Sequence, residues 1–66
     1  MTLQINGESR EIPGVKTIPD LVSALGLPPS TVLVEHNGLA LHRSEWASTS
    51  LDDGDRIEIL QVAAGG

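Results

Sequence analysis

The sequence predicts an α+β domain in which one helix packs on one face of a mixed sheet of four or five strands. Three observations carry that prediction. Two Asn-Gly pairs each sit between short apolar or alternating runs, the pattern of tight hairpins. One helical stripe lies between Thr17 and Gly26, framed by start and stop signals. A final run, "RIEILQV", alternates as a half-buried strand does. At 66 residues the chain reads as one domain, and a domain of about 60 residues buries only roughly 60% of its unfolded surface. So small a body has no room for an enclosed active site.

In "TLQIN", Leu3 and Ile5 fall on one face and Thr2, Gln4 and Asn6 on the other, the period of a strand. Asn6-Gly7 then predicts a turn into "ESREI", which is polar apart from Ile12 and is closed by Pro13-Gly14. That composition suits an edge strand protected by charge. In "TIPDLVSALG", Thr17 serves as N-cap, Pro19 occupies the first turn, Asp20 follows three residues after the cap, and Gly26 stops the helix. Pro28-Pro29 forbids its continuation. Ile18, Leu21, Val22 and Leu25 form one stripe, and at about 1.5–3 kcal/mol per fully buried side chain this helix is the main contributor to the core.

"TVLVEHNGLAL" holds an apolar run, the turn Asn37-Gly38 and a shorter apolar run, which predicts a second hairpin. "HRSEWAST" reads as a loop or one short helical turn, and "LDDGD" as a tight turn entering the last strand, where Ile57 and Ile59 share a face. Two strands, a helix and further strands with an irregular crossing segment make the ubiquitin-like, or β-grasp, arrangement. On that arrangement residues 1–61 form the body, with the last strand through the sheet centre, and residues 62–66, "VAAGG", leave it as a flexible tail.

Composition removes several function classes. There is no cysteine, hence no disulfide, no nucleophilic thiol and none of the commonest zinc ligands. The net charge of −5 argues against nucleic acid and toward basic protein surfaces. No apolar run approaches the roughly 20 residues of a membrane span, and no signal peptide opens the sequence, so the expected location is cytoplasmic. His36 and His42 lack metal-ligand spacing and are expected in solvent. Asp52, Asp53 and Asp55 lack the alternation and distal glutamate of a calcium loop and are expected to bond turn backbone. His42, Ser44 and Glu45 are neighbours in sequence without the scaffold of a catalytic triad. Trp46 is expected to cap the core, and Arg43 to lie on the surface.

The opening "INGE", the helix start "TIPDLV", the "NG" turn followed by "HRSEW", the strand "LDDGDRIEIL" and the final "GG" together resemble the ThiS family of sulfur-carrier proteins in thiamine biosynthesis. The likeness covers nearly the whole chain. His36, the Leu41-His42-Arg43 segment and Ala64 depart from the common pattern, while Gly65 and Gly66 keep it. The resemblance implies a non-enzymatic carrier that binds no cofactor of its own. Its Gly66 carboxylate is adenylated by an ATP-dependent adenylyltransferase, converted to a thiocarboxylate with the help of a sulfur-donating protein, and used by thiazole synthase. The small subunit of molybdopterin synthase, which uses the same terminus, and a ubiquitin-like protein modifier are the neighbouring alternatives. An inert binding module is the remaining one.

The residue types suit that chemistry. A terminal carboxylate, with a pKa of about 3.3–3.7, is ionised at neutral pH and is a poor electrophile until a leaving group is attached. Gly65 and Gly66 leave the approach to it unobstructed. The five residues after Gln61 reach roughly 17 Å when extended. Ordering them costs on the order of 1–2 kcal/mol each, so the body must supply docking energy. Alternation that turns Ile57 and Ile59 inward places Leu60 and Val62 on the opposite face, where they are expected to form part of an apolar docking patch.

Overall fold

In the computed structural model, residues 1–62 are described. Five strands form one mixed sheet: β1 (Thr2–Ile5), β2 (Glu8–Glu11), β3 (Val32–His36), β4 (Leu39–Leu41) and β5 (Arg56–Gln61). Their spatial order is β2-β1-β5-β3-β4. β1 and β5 run parallel, and the other neighbours are antiparallel. The single α-helix of the described residues, α1 (Ile18–Ala24), packs on one face, so the architecture is the expected β-grasp.

Local signals account for most of this. Asn6 and Gly7 have φ of 50° and 84°, and Asn37 and Gly38 have φ of 50° and 85°, the left-handed pair that a two-residue hairpin requires. All of β2 is exposed, as its charged composition demands of an edge. The Thr17 side chain accepts from the Asp20 N–H, while the Asp20 carboxylate accepts from the Thr17 N–H, closing a capping box. Ile18, Leu21 and Val22 are buried against Leu3, Ile5, Val32, Val34 and Ile57 from the sheet. Leu25, the last member of the predicted stripe, is only partly buried beside them.

The asparagines of both turns also hold β5. The main chain of β1 turns away at Asn6, and the Asn6 amide continues the ladder in its place. Its Oδ1 accepts from the Ile59 N–H at 2.7 Å and its Nδ2 donates to the Ile59 carbonyl at 3.1 Å. At the other end of β5, Asn37 Oδ1 accepts from the Arg56 N–H at 2.8 Å. The Asn37 N–H donates to the Arg56 carbonyl, also at 2.8 Å. Replacing Asn6 with Ala removes two bonds to β5 and leaves a non-glycine residue at positive φ, so unfolding in urea should show a loss of about 1–3 kcal/mol. Asn6→Asp, which keeps an acceptor for the Ile59 N–H, should lose less.

Candidate functional site

The face of the sheet opposite α1 follows from alternation in its two inner strands. Burying Val32 and Val34 sends Leu33 and Glu35 outward, and burying Ile57 and turning Ile59 inward sends Glu58 and Leu60 outward. Antiparallel register sets Leu33 directly opposite Leu60, and Glu35 opposite Glu58. Ala40 of β4 pairs with Glu35 from the far side. Leu60 is 62% exposed, Leu33 58% and Val62 42%, so the patch expected around Leu60 and Val62 is open, and Leu33 enlarges it. Leu33, Glu35, Ala40, Glu58 and Leu60 line a groove of about 380 Å³. Leu33 belongs to a run, "TVLV", that looks uniformly apolar; only strict alternation with Val32 and Val34 on the inside singles it out.

Where β5 ends, the Val62 N–H donates to the Thr31 carbonyl at 2.7 Å. The chain is thus still tied to the body one residue beyond the strand. Gly65 and Gly66, the expected approach and carrier positions, lie outside the described residues.

The residues weighed as other sites take structural roles. His36, expected in solvent, is only 18% exposed at its side chain and contacts Asp55 through Nε2 at 2.7 Å. The reason is register: His36 lies on the inward side of β3, level with Ile57, and the turn before β5 delivers Asp55 to it. Asp55 also accepts from the Asp52 N–H and from Asn37 Nδ2, so it bonds the turn backbone as expected, whereas Asp53 accepts from the Thr2 N–H and ties the turn to β1 instead. Glu45 accepts from the His42 N–H in a 3-10 turn at Arg43–Glu45, a cap rather than a catalytic pairing. Trp46 is buried in the core, and the Arg43 guanidinium stacks on its ring, 4.4 Å from the centroid. No grouping of His, Asp and Glu able to hold a metal occurs among the described residues. No helix among them is long and apolar enough to cross a membrane.

Burial pushes the Asp55 carboxyl up, but the Asp52 N–H, then the His36 and Asn37 side chains, outweigh it and hold the group below its ordinary value. A carboxylate whose pKa is depressed by folding contributes stability above the unfolded value, and that contribution disappears as pH falls through the lowered one. Thermal unfolding followed from neutral pH downward should therefore show a loss beginning near pH 4, around the ordinary carboxylate pKa. Asp55→Asn should be less stable at neutral pH and show a shallower acid slope.

The family model of the ThiS family matches residues 3–66. The chain belongs to the ThiS family. The ThiS fold is matched across the whole chain by the crystal structure of a thiamine biosynthesis protein (ThiS) from Geobacter metallireducens, with a TM-score of 0.82, 35% identity and full coverage of both chains. A thiazole synthase from Paramagnetospirillum magneticum is 36% identical over 66 residues, which are 100% of this chain and 20% of that protein. This ThiS chain thus spans about a fifth of that relative's length. An uncharacterised protein, ycf40, of Pyropia yezoensis is 30% identical over 100% of this chain and 93% of its own length.

Proposed function

We propose that the protein is the sulfur carrier of thiazole formation in thiamine biosynthesis, acted on by other enzymes rather than catalysing a reaction itself. The observation that carries this is the ThiS family match, which runs to Gly66. The Gly66 carboxylate takes an adenylate from an ATP-dependent adenylyltransferase. Displacement of AMP from that adenylate by sulfide-level sulfur from a donor protein gives the thiocarboxylate, and thiazole synthase consumes the sulfur. With no cysteine in the chain and only the thioether of Met1 as sulfur, the carboxyl end is the chemically credible place to attach it. Gly65 leaves room for the activating site around the carboxylate.

Leu33, Leu60 and Val62 form the docking face that brings the tail into a partner's cleft. The tail alone binds weakly because its ordering cost offsets its few contacts, and an apolar face of this kind on a small protein is a usual mark of an interaction surface. The stretch of a thiazole synthase that aligns with the entire chain supports that enzyme as one partner.

Intact-mass measurement of the protein purified from its own host under thiamine limitation tests the function. Replacement of one terminal oxygen by sulfur is the expected result. Adducts of protein size would indicate a modifier, and an unaltered mass in both thiamine-replete and thiamine-starved cells would refute the carrier.

A further inference from the structure

The outward face carries a charge arrangement that apolar docking alone does not explain. Glu35 and Glu58 are directly opposite one another on β3 and β5, both exposed and both acidic. Like charges placed opposite on one face of a sheet destabilise it, with Cβ atoms only about 4.5–5.5 Å apart. Among the described residues the acid–base contacts are Met1–Glu11 and His36–Asp55, so neither Glu35 nor Glu58 has a cation beside it. Residues 63–66 are Ala and Gly and bring no cationic side chain. Arg56, two residues before Glu58 in β5, has its guanidinium beside the Asn37-Gly38 turn, where a Cβ at Gly38 would meet Nη2 at 3.7 Å. The repulsion is therefore left standing in the free chain, in the floor of the groove that Leu33, Ala40 and Leu60 also line.

We propose that Glu35 and Glu58 together receive one arginine side chain of the docked thiazole synthase, an inference that rests on the docking face proposed above. A guanidinium is planar, carries five donors and is weakly hydrated, so it can bridge two facing carboxylates while leaving water more readily than an ammonium does. Its alkyl stem lies along Ala40 and Leu60, as the stems of long cationic side chains do on apolar surface. Docking then removes a repulsion as well as making contacts. The groove also discriminates: a partner surface without a cation at this point leaves two carboxylates desolvated and unpaired. The net charge of −5 adds long-range attraction toward such a basic surface.

The test uses the full chain, thiazole synthase of the same organism, and the variants Glu35→Gln, Glu58→Gln and Leu60→Asp. Each Gln variant keeps an accepting oxygen but loses the charge, and should bind the enzyme about 5- to 30-fold more weakly, the difference between a charge-assisted and a neutral hydrogen bond, with a flatter dependence on salt. The same variants, free in solution, should melt about 1–4 °C higher, because the repulsion is gone. Gln variants that bind as tightly as the parent, while Leu60→Asp does not bind, would overturn the arginine site and leave the docking face standing. Failure of the parent chain to bind, or equal binding by all variants, would remove both. A Gln effect that appears only with Mg²⁺ present would also overturn the proposal, assigning the pair to a bridging ion.

Discussion

A chain extended by one alanine after Gly66 yields no thiocarboxylate when incubated with the activating enzyme, ATP and the sulfur donor. The extension moves the terminal carboxylate about 3.3–3.6 Å from its former place and puts a side chain beside it. A misplacement of only about 1 Å at a reacting group can cost 10²-fold in rate, so a drop of at least about 10²-fold in adenylate formation is expected. The body should be indifferent to the change: β5 ends at Gln61, and the last described hydrogen bond to the body is made by Val62. Unfolding curves should superimpose on those of the parent. Pyrophosphate exchange and intact mass read the two steps separately. Full sulfur transfer by the extended chain would overturn the requirement for a terminal Gly66 carboxylate with no residue beyond it.

Leu60→Asp separates docking from chemistry. Leu60 stands 62% exposed in the free protein, so the substitution gives up little burial. In the proposed docked complex the same position is covered by the partner, and an aspartate there is desolvated without a counter-charge beside two existing acids. Truncation or charging of such a central contact costs about 2–4 kcal/mol, or roughly 30- to 1,000-fold in affinity. Aspartate is a poor strand residue, and the free chain should lose up to about 1 kcal/mol. Leu60→Thr, which keeps β propensity and adds no charge, controls for that loss and should show an intermediate affinity. Adenylation of saturating Leu60→Asp should approach the parent rate, since the tail is intact. Unchanged affinity in both variants would exclude this face as the docking surface.

Much of the fold was legible because its signals are local. The Asn-Gly pairs, the Thr17–Asp20 capping box and the stop at Gly26 each act within a few residues, and each lies where the sequence predicts it. Alternation in "RIEIL" correctly separated Ile57 from Leu60, since a central strand with one covered face has no other way to sort its side chains. Leu33 was harder to read, for an apolar run shows its facing only when its neighbours' burial is known. The bonds from Asn6 to Ile59 span 53 residues, and the His36 contact with Asp55 spans 19. Both depend on strand order, which no local signal specifies; expecting His36 in solvent failed for that reason. The facing of Glu35 and Glu58 likewise appears only once the β3·β5 register is known.

The placement of β5 between β1 and β3 has a consequence for biosynthesis. Its parallel partner β1 is the earliest strand, so the pairing that completes the sheet joins opposite ends of the chain, and long-range pairing of this kind forms late. A ribosome still translating the turn before β5 holds a polypeptide with an edge hairpin, a helix and a second hairpin but nothing to join them. A product broken off at that stage has no assembled sheet and none of the outward apolar face that Leu60 shares with Leu33. On the proposed function, unfinished copies are therefore poor decoys for the partner enzymes, because the strand that completes the body is also the one that precedes residues 62–66.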